Sequence, residues 1–96
     1  MEAMPPLADA EISEALEALP GWARTGDEIV KEYDCGTFPG AIAFVVRVGY
    51  LAEKADHHPD IDIRWKRVRI ALTTHSAKGL TNLDLDLAGE IEAIGV

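Results

Sequence analysis

Apolar residues first recur at helical spacing from Asp9 onward: Ile12, Ala15, Leu16 and Leu19 follow i, i+3, i+4, i+7, with Glu11, Glu14 and Glu17 on the other side. Pro20-Gly21 closes that helix. Ahead of it, Met1 to Pro6 carry two prolines and no periodicity, and are expected to form a frayed leader. The pattern then switches to strict alternation. Trp22 to Thr25 and Glu28 to Cys35 read as two short strands around Gly26-Asp27, because Ile29, Tyr33 and Cys35 fall on one parity and Glu28, Glu32 and Asp34 on the other. An antiparallel hairpin is the expected result.

The most apolar stretch runs from Ala41 to Ala52. Its β-branched residues favour a strand locally, but its length and the following Glu53-Lys54-Ala55 favour a helix, with Pro39 in the first turn, Thr37 as cap and an end near Ala55. Ile42, Phe44, Val45, Val46, Val48, Tyr50 and Leu51 surround this helix almost completely. One face is expected to pack on the sheet and another to meet a second subunit, so a homo-oligomer is expected. Pro59 keeps His58 out of the α region and forces the helix to stop before it.

Beyond that point Ile61, Ile63 and Trp65 alternate on odd positions and Val68, Ile70 and Leu72 on even ones. The parity slip predicts a turn or bulge at Lys66-Arg67 and hence a second hairpin, with Thr73-Thr74-His75 closing its last strand and Ser76 to Gly79 as a loop. The last helix has a clear start: Thr81 as N-cap, Asp84 at N3, and Leu80 with Leu85 as flanking apolar staple. Leu87, Ala88, Ile91 and Ile94 form its buried stripe. The order helix, hairpin, helix, hairpin, helix predicts one α+β domain over residues 1–96, a four-stranded antiparallel sheet with three helices packed on it.

Composition narrows the function. The 96 residues carry a formal charge of −8, which disfavours nucleic acid as a partner. Arg47 interrupts the longest apolar run, which is shorter than the ~20 residues of a membrane span. Cys35 is the one cysteine, and no basic flank precedes an apolar block, so a cytoplasmic location is expected.

The candidate chemistry centres on Asp56-His57-His58-Pro59 and on His75. Two adjacent imidazoles beside a forced helix stop suit acid-base work or metal, against the plainer reading of a polar loop. Metal is disfavoured by spacing, since successive side chains in extended backbone diverge and no C-x-x-C or H-x-x-x-H accompanies the pair. Asp84 has a sufficient capping role, yet a carboxylate at a helix N-terminus can also orient a nearby imidazole. Cys35, on a strand face with Ile29 and Tyr33, reads as an inert thiol. Arg64, Lys66, Arg67 and Arg69 form the one basic cluster, read as a solvated face or subunit contact before a phosphate site. No glycine spacing matches a nucleotide motif.

Glu53-x-x-x-His57-His58-Pro59, then Trp65, His75 and Asp84 at fixed spacings, resemble the signature of the pterin-4a-carbinolamine dehydratases. Thr74-His75-Ser76-Ala77-Lys78-Gly79-Leu80-Thr81 and Gly21-Trp22 are similar to the family as well, and the likeness runs from about Leu7 to Ile94. The resemblance implies a hydro-lyase that removes water from 4a-hydroxytetrahydropterin to give quinonoid dihydropterin, in tetrahydropterin recycling. It implies no metal, no cofactor and a homodimer or homotetramer. By the same resemblance His57, His58, His75 and Asp84 are the expected catalytic group, with His58 as principal acid or base and Asp84 orienting a histidine. Asp56, Thr73, Thr74 and Ser76 are expected to bind the pterin edge. Ser76 departs from animal members, which have an acidic residue there. Two alternatives stay open: an oligomeric interaction module, since animal members also act as dimerisation partners of a transcription factor, and a small histidine-site metalloprotein.

Overall fold

The computed structural model describes residues 5–96. Its elements are α1 (Asp9–Leu16), β1 (Ala23–Thr25), β2 (Glu28–Asp34), α2 (Phe38–Ala55), β3 (Asp60–Arg64), β4 (Arg67–Leu72) and α3 (Asn82–Ile94), with one 3-10 turn over His75–Ala77. The fold is α+β, and the four strands form one antiparallel sheet in the order β1-β2-β4-β3. Each hairpin is thus a local pair, and the β2–β4 pairing across α2 joins the two.

Register explains the core. Ile29 pairs with Leu72 and Tyr33 with Val68, while Ile61 and Ile63 pair with Ile70 and Val68, so the apolar residues of three strands share one face. The helices cover that face: Ile12 from α1, Ala41, Phe44, Val48 and Ala52 from α2, and Leu87, Ala88 and Ile91 from α3 join one buried cluster. The other face is polar and laced by ion pairs. Arg67 meets Glu32 at 3.1 Å, Arg64 meets Asp62 at 2.9 Å, Lys66 meets Asp34 at 3.6 Å and Arg69 meets Glu28 at 3.8 Å. The basic cluster is therefore engaged by the sheet's own carboxylates, on a solvated surface where such pairs contribute little stability. The hydrogen bond from Arg64 lowers the Asp62 pKa, and at Asp34 the Gly36 N–H is the main cause of a similar shift.

Four expectations need correction. Helix α1 ends at Leu16, and residues to Trp22 continue as i→i+3 turns that still bury Leu19. The β3–β4 turn falls at Trp65-Lys66, one residue early, because Arg64 already pairs with Arg67. Trp65 takes a left-handed φ of 55° there, a strained conformation for a bulky residue that the two-residue turn imposes, and its ring lies outside the core. Strand β4 stops at Leu72, so Thr73-Thr74-His75 does not complete it; a Thr74–Gly79 bridge turns the chain into the 3-10 segment instead. Of the expected leader, Met1 to Met4 lie outside the described residues, whereas Pro6 lies by Gly79 and the Leu7 N–H donates to the Leu80 carbonyl at 2.8 Å.

Helix α2 starts as expected, with Thr37 Oγ1 accepting the Gly40 N–H at 3.0 Å and Pro39 in the first turn. A Cβ on Gly40 would lie 2.5 Å from the Cys35 carbonyl oxygen, whereas one on Gly89 in α3 would meet nothing within 4 Å. Gly40→Ala is therefore expected to lower stability by about 1–3 kcal/mol through overpacking. Gly89→Ala should raise it by about 0.5–1 kcal/mol through helix propensity, and paired urea melts read both signs.

Candidate functional site

The end of α2 sets the first part of the site. Asp56 adopts φ 50°, ψ 42°, and the chain closes with the Asp56 N–H on the Glu53 carbonyl and the His57 N–H on the Ala52 carbonyl, both 3.1 Å. This is a Schellman closure, made with aspartate where glycine is usual. It fixes the backbone of His57 and lets the two imidazoles leave in different directions. His57 turns inward, 11% exposed, with Nε2 2.6 Å from Asp84 Oδ1. His58 turns outward, 62% exposed, with Nε2 3.0 Å from Glu53 Oε1.

Asp84 lies beneath His57, fully buried in the first turn of α3. Its second oxygen, Oδ2, accepts the Thr74 hydroxyl at 2.7 Å and the Thr81 N–H at 2.9 Å. With its proton directed at Asp84, Thr74 must accept from Thr81, whose Oγ1 lies 2.8 Å away and itself accepts the Leu83 N–H at 3.2 Å. The result is a directed chain: Leu83 N–H to Thr81 hydroxyl, to Thr74 hydroxyl, to Asp84. A carboxylate accepts, so the His57 Nε2 facing it carries a proton, and in the neutral ring Nδ1 holds the lone pair. The same reasoning gives His58 a proton on Nε2 and a lone pair on Nδ1.

A cleft of about 340 Å³ opens above this network, within the range of small-molecule sites. Asp56, His57, His58, Thr73, Thr74, His75 and Ser76 line it together with Leu83. Three histidines from two chain segments thus border one cavity. Asp84 stands behind the wall and reaches the cleft through His57. Thr73 is partly committed, because its hydroxyl donates to the Asp27 carbonyl at 2.5 Å. Pro59 is not among the lining residues.

Sequence reasoning passed over Leu83 as a wall residue and Glu53 as a partner of His58. Leu83 was detectable as an apolar residue outside the α3 stripe. Glu53 stood in the family-like signature, but its contact with His58 depends on the helix closure. Burial, with the neighbouring Asp34 charge second, pushes the Cys35 thiol up, which argues against a nucleophile. Among the described residues no group of three or more His, Cys, Asp or Glu side chains is placed to hold a metal ion. No helix among them is long and apolar enough to cross a membrane.

The family model described as Pterin 4 alpha carbinolamine dehydratase matches residues 5–94. The chain belongs to this family. A curated relative from Roseiflexus sp. (strain RS-1), named "Putative pterin-4-alpha-carbinolamine dehydratase", is 59% identical over 92% of this chain and 95% of its own. A crystal structure from Brucella melitensis, described as a transcriptional coactivator/pterin dehydratase, is similar with a TM-score of 0.91 and 35% identity, covering 95% of this chain and 99% of that one. A pterin dehydratase-like protein identified as a RuBisCO assembly factor in the alpha-carboxysome has a TM-score of 0.63 at 20% identity, over 76% of this chain and 84% of that chain; this likeness shows the fold alone.

In this member of the dehydratase family a buried threonine pair supports the site from beneath. Thr74→Val removes a donor to Asp84 and the acceptor of the Thr81 hydroxyl inside a closed network. Stability is expected to fall by about 1–3 kcal/mol, measured as a lower urea midpoint at unchanged m. An unchanged midpoint would show that the network carries no such weight.

Proposed function

We propose that the cleft dehydrates 4a-hydroxytetrahydropterin to quinonoid dihydropterin by histidine acid-base catalysis, as a step of tetrahydropterin recycling. The observation that carries this reading is the convergence of His57, His58 and His75 on one cavity, with His57 held by a buried carboxylate. The reaction needs one proton delivered to the leaving 4a-oxygen and one removed from the adjacent ring nitrogen N5, and no redox partner. Imidazole suits both transfers, as the base when neutral and as the acid when protonated.

His58 is the principal acid or base in this reading, since its ring is the more exposed and its Nε2 partner, Glu53, leaves Nδ1 for the substrate. His57 and His75 share proton transfer and ring binding. Asp84 is a positioning residue that sets the tautomer and angle of His57. Asp56 and Ser76 supply donors and acceptors for the pterin edge, and Thr73 contributes as an acceptor, its proton being used on Asp27; Thr74, whose hydroxyl is taken up by Asp84 and Thr81 and whose N–H is taken up by Gly79, supports the wall instead. The lone Cys35 and the acidic composition support a cytoplasmic location.

The same reading makes the protein a homodimer or homotetramer. Phe38, Ile42, Val46 and Tyr50 recur every four residues along α2 and are 40–76% exposed, an apolar stripe on the side away from the buried Ala41, Phe44, Val48 and Ala52. That stripe, with the likeness to the Brucella transcriptional coactivator/pterin dehydratase, also favours a second reading, an interaction module that binds another protein.

In stopped-flow assays with synthetic 4a-hydroxytetrahydropterin, His58→Ala is expected to lose about 10²–10⁴ in rate with an unchanged far-UV spectrum. Wild-type rates equal to buffer would overturn the enzyme reading. Light scattering at micromolar concentration should give a dimer or tetramer, and Val46→Lys should shift the mass downward. A wild-type monomer that captures one stoichiometric protein partner would favour the interaction module instead.

A further inference from the structure

His75 is held differently from the other two histidines. The His57 ring has Asp84 and the His58 ring has Glu53, whereas among the described residues the His75 ring has no hydrogen-bond or ion-pair partner. It is exposed, and it borders both the cleft and a second space of about 390 Å³ walled in part by the β1–β2 turn. Where the ring lies therefore depends on its backbone. Resting on the role given to His75 in the dehydratase reading, we infer that Pro6 and Leu7 are positioning residues: they form a strap that fixes the His75 loop, and with it the ring, from outside the cleft.

The loop is closed at its base. The Thr74 N–H donates to the Gly79 carbonyl at 3.1 Å and the Gly79 N–H to the Thr74 carbonyl at 3.4 Å. Inside it the Ala77 N–H donates to the Thr74 carbonyl and the Lys78 N–H to the His75 carbonyl, both at 3.1 Å. A loop bonded in this way moves as one piece, so a displacement of Gly79 carries His75 with it. The strap bears on that residue. Gly79 is buried, and a Cβ on it would lie 3.1 Å from the Pro6 Cβ, with Pro6 Cγ at 4.0 Å. One residue on, the Leu7 N–H donates to the Leu80 carbonyl at 2.8 Å, and the Leu7 side chain packs against the buried cluster. Ala8 then caps α1, its N–H on Glu11 Oε1 at 3.1 Å, so the strap is anchored by a helix that buries Ile12. Proline suits the contact, since its fixed φ leaves it few conformations to lose. Neither Pro6 nor Leu7 lines the cleft, so their influence on the reaction runs through the loop.

Gly79→Ala is the sharpest probe, because the added methyl meets Pro6 alone within 4 Å. With saturating 4a-hydroxytetrahydropterin its kcat is expected to fall about tenfold, less than the roughly 10²-fold that a displacement of about 1 Å can cost. Pro6→Gly should lower kcat by less, about threefold, and in that background Gly79→Ala should cost under about twofold, since residues in contact are not additive. In proton–carbon NMR spectra of the folded variants the His75 ring signals should shift or broaden while those of His57 stay in place; a loss of stability alone would move neither. A Gly79→Ala cost that is absent, or equal with and without the Pro6 ring, overturns the strap and leaves the dehydratase standing, and so do unmoved His75 signals. If Gly79→Ala does not fold, Pro6→Gly decides by the same two measurements. Absence of turnover by the wild type overturns the dehydratase reading and this inference with it.

Discussion

The carboxylate of Asp84 is the constraint around which the molecule is arranged. An ionised group taken out of water is costly unless every oxygen finds partners, and the partners here come from three separate elements. His57 follows α2, Thr74 follows β4, and Thr81 precedes α3. Removing any one leaves a buried charge incompletely answered. The network therefore fixes how the end of the long helix, the last strand and the last helix meet, and the cleft is the space left where they do. The helix N-terminus adds its own favourable field to the same group.

This arrangement gives one residue two duties. Asp84 caps α3 and holds His57, and the sequence allows the first to be read without the second. A carboxylate three residues after a threonine is a local pattern with a local cause. Its contact with an imidazole 27 residues earlier depends on packing: the β3–β4 hairpin, with Asp60 opposite Ala71, brings the end of β4 beside the end of α2, and α3 then sets its first turn against both. That placement of α3 is invisible to periodicity.

The fold was legible for the same reason that the contact was not. Ile29 and Tyr33 against Glu28 and Glu32, or Val68, Ile70 and Leu72 against Arg67 and Arg69, declare their strands by alternation alone. Thr37 and Pro39 at its start and Pro59 just past its end bound α2 by local chemistry, whereas the left-handed turn at Asp56 emerged only in the fold. Reading failed where a tertiary contact overrode the local pattern. Leu19 stays buried after the helix has ended, and His75 enters a 3-10 turn because Thr74 bridges to Gly79. The histidines, Asp56 and the threonines stood out by type and by family likeness, but that His75 borders a second cavity depends on where the β1–β2 turn lies in space.

The closure at Asp56 has a consequence for motion. His57 is held by its backbone N–H on Ala52 and by its ring on Asp84, so its orientation is set before anything enters the cleft. Little reorganisation energy is then spent on it when charge moves. His58, one residue on, has only an exposed glutamate to hold it, and exposed side chains change rotamer on the picosecond-to-nanosecond scale. Two identical side chains, adjacent in the chain, thus differ in kinetic character: one is a fixed reference point, and the other is free to turn between orientations.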